Sequence, residues 1–187
     1  MRCGFTKTPF TCSLVLVAVA FAYSQNVYQD SESGVALSLP PGWTWTGPSR
    51  WADEKGAKSI SVLKEAGMTH ELRLWIQNLD PPETMTPADK MDRRLLKLPQ
   101  RKIEQRTREG YQNYRLRKDS CELHPINGRS ALTWVADYTD RGQHMVEYWT
   151  IVRSENTHAL LYGRVPAEQL DDFRARVNPI IETLQIR

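Results

Sequence analysis

Two consecutive runs, from Met145 to Arg153 and from Thr157 to Val165, carry apolar side chains at odd and even positions alike. A strand with one wet face alternates, whereas a strand that is apolar on both faces has to be covered above and below. These runs therefore demand the centre of a sheet with a packed layer on each side. The runs from Tyr111 to Arg117 and from Arg129 to Tyr138 are also rich in Trp, Tyr, Val, Ile and Thr, the residues that suit a pleated surface. Asn127-Gly128 suits a tight hairpin turn, and Asp140-Arg141-Gly142 and Ser154-Glu155-Asn156 supply the next bends. The second half reads as an antiparallel meander.

The first half adds strands and the covering helices. After a short extended piece near Val27 and Tyr28, Val35-Ala36-Leu37-Ser38-Leu39 is a strand stopped by Pro40-Pro41-Gly42, since proline denies the ladder its donors. Ser59 to Leu63 alternates, and Leu72, Leu74 and Ile76 oppose Arg73, Trp75 and Gln77 before Pro81-Pro82. Trp43, Trp45 and Trp51 fall in what reads as a loop. Thr86-Pro87 suits a helix start, with Met91, Leu95 and Leu98 at helical spacing until Pro99. From Pro166 to Leu184 a second stripe holds Leu170, Phe173, Val177, Ile181 and Leu184, with Pro179 expected to kink or divide it. The expected class is α+β: an antiparallel sheet of about six or seven strands flanked by helices, an α/β/α sandwich.

This order of elements resembles the PsbP-like family, on two local patterns. A Gly followed by Val35 to Leu39 and Pro40-Pro41-Gly42-Trp43 looks like the family's opening strand and its Pro-x-Gly-Trp-type turn. Phe173, Pro179, Ile180-Ile181 and Leu184 look like its closing helix, although Thr183-Leu184 stands where the family commonly has Ser-Phe. The resemblance implies a distant bacterial exported branch and an antiparallel sheet between helices. It implies no one activity, because the family runs from photosystem assembly factors to envelope proteins without a known one.

The start of the chain has the parts of a secretory signal: Arg2 and Lys7, an apolar run from Leu14 to Ala22, then small residues. The run falls well short of the roughly 20 residues a spanning helix needs, so the expectation is a peptide (1–24) cleaved near Ser24. Residues 25–187 would then form one PsbP-like domain, periplasmic or secreted, with no transmembrane segment. Cys12 precedes the apolar run, the wrong side for lipidation. Cleavage removes Cys3 and Cys12, leaving Cys121 as the one thiol of the mature chain, with a buried position as its ordinary role. It also removes two cations, so positive and negative residues nearly balance.

No catalytic signature is present: there is no Gly-rich phosphate loop, no Gly-x-Ser-x-Gly elbow and no paired zinc-type cysteines. His70-Glu71 begins a His-Glu-x-x-His pattern, but the closing position is Leu74. Cys121 and His124 have ligand-like spacing, and only His144 and His158 could add further nitrogens. No cofactor or metal is expected. What remains are two surface features. Trp43, Trp45 and Trp51 can stack on sugars, cations or partner side chains, although Trp43, in the family-like turn, suits packing under the sheet. Between Lys90 and Lys118 stand eleven Lys or Arg and three acids, with Arg93, Arg94, Lys97, Arg101 and Lys102 at the centre. Such a segment attracts an anionic envelope surface or an acidic protein partner. Nucleic acid is disfavoured by export and by the lack of interleaved aromatics.

The function expected is an exported, non-catalytic binding or accessory module. The alternatives are a metal-dependent or hydrolytic enzyme assembled from dispersed residues such as His124 and His144, and an assembly factor that recognises exported proteins along a sheet edge.

Overall fold

A computed structural model of the protein describes residues 26–54, 56–67, 69–79 and 88–187, with the backbone alone at 88–91. The expected signal segment, Pro81-Pro82 and the Thr86-Pro87 helix start lie outside these residues.

In chain order the strands are β1 (Asn26–Asp30), β2 (Val35–Leu39), β3 (Trp43–Asp53), β4 (Gly56–Glu65) and β5 (Leu72–Asn78). Helices α1 (Ala88–Leu95) and α2 (Leu98–Arg108) follow, then β6 (Gln112–Leu116), β7 (Glu122–Ile126), β8 (Arg129–Asp140), β9 (Gln143–Arg153) and β10 (Thr157–Pro166). Helix α3 (Leu170–Ile181) and the short β11 (Gln185–Ile186) close the chain. Among the described residues eight strands form one antiparallel sheet in the order β3-β4-β5-β10-β9-β8-β6, with β7 also paired to β8, and β1, β2 and β11 form a second sheet. The large sheet thus has more strands than the six or seven expected.

The two-sided apolar runs β9 and β10 do lie at its centre. On one face Leu72, Leu74, Ile76, Val146, Val152, Ala159, Leu161 and Val165 pack with the small sheet and with Leu170, Phe173, Val177 and Ile181 of α3. On the other, Leu132, Trp134, Trp149, Ile151 and Tyr162 pack against Leu95 and Leu98 of the α1 and α2 layer.

Local chemistry explains where the expected elements changed. Pro99 does not end a helix; α1 stops at Leu95 and α2 carries Pro99 in its first turn, where its missing N–H costs nothing. Pro179 does not divide α3 either, because it falls in the last turn and the helix ends two residues later. At Gly163 the ring of Phe173 comes so close that an added Cβ would stand 2.2 Å from its Cζ. Only glycine leaves room there for α3 to seat its largest side chain.

Asp30, buried at the end of β1, ties the small sheet to the large one. Its carboxylate accepts from Arg50 of β3 (2.9 and 3.4 Å), Ser59 Oγ of β4 (3.2 Å) and the Glu32 amide (3.2 Å). Burial pushes its pKa up, but the hydrogen bonds and charge of Arg50, with Ser33 and Glu32, outweigh this and hold it below the usual value. Its stabilisation is therefore intact above the ordinary carboxylate range and is lost as pH falls through the lowered value. The Asp30→Asn variant should be less stable at neutral pH and lose less on acidification below about pH 4. Denaturant titrations across pH check this; parallel acid limbs for the two proteins would refute it.

Candidate functional site

The three indoles do not share a loop. Trp43 to Asp53 is an edge strand, and Trp43 is buried at 2% exposure in the main core. It cannot serve as partner surface, because the turn after Pro40-Pro41-Gly42 drives its ring under the sheet. Trp45 and Trp51 are exposed at 40% and 39%, but a bulge separates them. Thr46 pairs with Val62 and Ser49 with Ile60, so β3 holds one residue more than β4, and the alternation inverts across it. Trp45 therefore stands opposite the core residue Leu63 and meets Tyr28 edge-on at 6.0 Å, whereas Trp51 stands opposite Lys58 on the other face and meets Trp75 at 5.1 Å. Gly47 makes this possible: with φ at +103°, an added Cβ would lie 2.9 Å from the Ile60 carbonyl oxygen. Two indoles on opposite faces cannot grip one flat ligand.

The basic segment divides into an inner and an outer set. On α2, Leu98, Lys102 and Arg106 recur every four residues and face the sheet. Lys102 is therefore not part of a free basic surface. Its ammonium lies 4.7 Å from the centre of the Trp149 ring, with Gln105 Oε1 accepting at 2.9 Å. Burial, then the Arg106 charge, lowers its pKa.

Arg106 reaches Glu147, which is fully buried in β9. Glu147 Oε1 accepts from Arg106 Nη2 (3.0 Å) and Arg164 Nε (2.8 Å), and Oε2 from Tyr114 Oη (2.7 Å) and Trp149 Nε1 (3.1 Å). Burial and the Glu147 charge together push the Tyr114 hydroxyl pKa far up. Arg106 also pairs with Glu109 at 2.7 Å and lies over Tyr111. This centre, missed in the sequence, had one signal. Glu147 is the only charge in Met145 to Val152, and a lone carboxylate in a run covered on both faces has to be paired.

The outer set lies at the turn between α1 and α2. Arg93, Arg94, Lys97 and Arg101 are exposed there, and Leu96 among them is the most exposed of the large apolar residues described, at 53%. Arg93, Lys97 and Arg101 have no carboxylate partner among the described residues. Asp92, the acid of this stretch, has its Oδ1 buried. Among the described residues, Arg93, Lys97 and Arg101 thus give the corner a surplus of exposed positive charge.

Further along, clefts of about 510 and 610 Å³ flank Tyr138 and Thr139, near the bulge in β6. Burial raises the Tyr138 pKa to about 12. In the smaller cleft His144 Nε2 lies 2.9 Å from Asp137 Oδ1. A histidine beside a carboxylate is the arrangement of a general base, but Arg117 already engages both Asp137 oxygens at 2.7 and 3.3 Å. Burial raises the Asp137 pKa; Arg117 and His144 more than reverse this and hold it low. The group works as a cross-link between β8, β9 and the end of β6.

The remaining sequence candidates lie apart. Cys121 is exposed rather than buried, in the connection just before β7. His124 sits within β7 with Nδ1 near the Glu122 carbonyl at 3.4 Å; His70 meets Gln169 at 2.8 Å and His158 meets Arg153 at 3.0 Å. Among the described residues no three His, Cys, Asp or Glu side chains gather as a metal site.

No family model and no curated protein matches this sequence. The likeness lies in structure: cyanobacterial PsbP (CyanoP) from Synechocystis sp. PCC 6803 aligns over 95% of this chain and 98% of its own, with a TM-score of 0.56 at 14% identity. The chain has the PsbP-like fold. A protein of Bacteroides thetaiotaomicron is also similar, over 87% of this chain and 48% of its own, with a TM-score of 0.50 at 13% identity. In PsbP-like terms, the opening strand and turn are β2 and the residues up to Trp43, the closing helix is α3, and the basic corner belongs to the layer on the opposite face. At such identities the likeness carries the fold, and the side chains have to carry the function. No described helix of this PsbP-like chain is long and apolar enough to cross a membrane.

Proposed function

We propose that the chain is an exported, non-catalytic accessory module, cleaved near Ser24, whose residues 25–187 act as one unit and meet an anionic partner of the cell envelope. The surface used is the α1 to α2 corner. The observation that carries the reading is the division of the cations. Arg106 and Arg117 turn in to carboxylates and Lys102 to an indole, whereas Arg93, Lys97 and Arg101 are exposed with no carboxylate partner among the described residues. Cations that stabilise a fold are paired within it; cations left facing water on one corner serve long-range attraction.

The test is recovery of partners from an envelope fraction. Reversing Arg93, Arg94, Lys97 and Arg101 to Glu should lower recovery at least tenfold and leave the circular dichroism spectrum unchanged. Equal recovery by the variant would discard the reading.

A further inference from the structure

We propose that the partner at the α1 to α2 corner is an anionic lipid bilayer, with Leu96 entering the boundary between headgroups and acyl chains while Arg93, Lys97 and Arg101 meet lipid phosphates. The inference deepens the reading above and rests on it.

Three observations distinguish a bilayer from an acidic protein. First, the most exposed large apolar side chain among the described residues stands inside the cationic group rather than apart from it. Leu96 follows Arg93 and Arg94 in the turn and precedes Lys97, and the Arg101 amide bonds back to the Lys97 carbonyl at 3.2 Å, which sets Arg101 one helical turn on. A leucine held in water costs free energy, and a purely electrostatic protein contact has no use for it. An interfacial segment uses both terms together, apolar insertion and attraction to anionic headgroups.

Second, the corner lacks the aromatic anchors of protein interfaces. From Asp92 to Arg101 there is no aromatic residue to anchor a protein contact, and the arginines there suit lipid phosphates as well as carboxylates. Third, the acid of the stretch is partly withdrawn: Asp92 is half-buried with its Oδ1 out of water, and the next carboxylate along the chain, Glu104, lies almost one turn beyond Arg101 and accepts from Gln100. A laterally fluid, negatively charged plane needs no shape complementarity and matches a cationic corner tipped by one aliphatic chain. The contact proposed is peripheral, made by side chains at the turn between two surface helices.

The experiment is co-sedimentation of the purified protein with vesicles of phosphatidylglycerol and phosphatidylcholine, and with vesicles of phosphatidylcholine alone. The protein should bind the first and not the second, and release as salt rises. Leu96→Ser, at an exposed position where folding is unaffected, should weaken binding roughly tenfold. Replacing Arg93, Lys97 and Arg101 by Ala should weaken it about a hundredfold, since each contributes about fivefold near an anionic surface. Arg115→Ala/Lys118→Ala, which removes two exposed cations elsewhere, should change it little.

Absence of binding to anionic vesicles, or binding that Leu96→Ser leaves unchanged, overturns the proposal. Charge-dependent recovery of an acidic protein without vesicle binding also overturns it, while leaving the accessory-module reading in place. Unchanged recovery after charge reversal removes both.

Discussion

Replacing Glu147 by Ala is expected to lower folding stability by about 3–5 kcal/mol, the range for breaking a buried ion pair from one side. The variant leaves Arg106 and Arg164 facing each other without their shared anion, and strands the Tyr114 hydroxyl and the Trp149 indole N–H. Glu147→Gln should fall between, because the amide keeps one acceptor oxygen and turns its two N–H donors toward donors. Urea denaturation with an unchanged m value is the measurement. Glu147→Leu combined with Arg106→Met and Arg164→Met should recover most of the loss, since the cost lies in unpaired charge more than in lost attraction. A loss below about 1 kcal/mol for Glu147→Ala would show that water reaches the site and that the centre is not a closed pin.

The second large effect is at the contact of α3 with the sheet. Phe173→Ala should cost about 3–5 kcal/mol, the range for emptying a buried aromatic site. Gly163→Ala should cost about 1–3 kcal/mol in the native background, because its methyl group meets the ring. In the Phe173→Ala background the same substitution should cost almost nothing or restore some stability, since the methyl then enters a cavity. The coupling from this double-mutant cycle should exceed 1 kcal/mol. Additive losses would mean that the ring moves aside freely and that glycine is not required there.

How much of this could be read in advance depended on whether a segment's pattern was local. The alternations of β2 and β5 and the two-sided runs of β9 and β10 are complete within a few residues, and each lies where its pattern placed it. Strand β3 was hidden because Gly47-Pro48 and the bulge break its alternation, and because nearly all its side chains face water. Strand β7 was hidden by Pro125 on a polar edge. The helix containing Pro99 was cut short because proline reads as a stop unless the next helix start is recognised.

At the candidate site the positions of the cations were legible and their directions were not. Lys102 adjoins Arg101 in sequence, yet one packs on Trp149 and the other faces water, since neighbouring positions on a helix point about 100° apart. The inward stripe of Leu98, Lys102 and Arg106 has no apolar member after Leu98, so hydrophobic spacing could not reveal it. The buried Glu147 that makes such a stripe tolerable comes from a strand far along the chain.

The bulge in β3 has a consequence for how the molecule behaves in a crowd. An edge of eleven residues, hydrogen-bonded on one side only among the described strands, would ordinarily template growth by copies of itself. Here the ladder is interrupted near its middle, where Pro48 offers no donor and the register slips by a residue. An incoming strand that fits Trp43 to Thr46 is out of step by Ser49. Each half is shorter than the six or seven residues of a typical stacking segment, so the break works against growth along the edge that carries the two indoles.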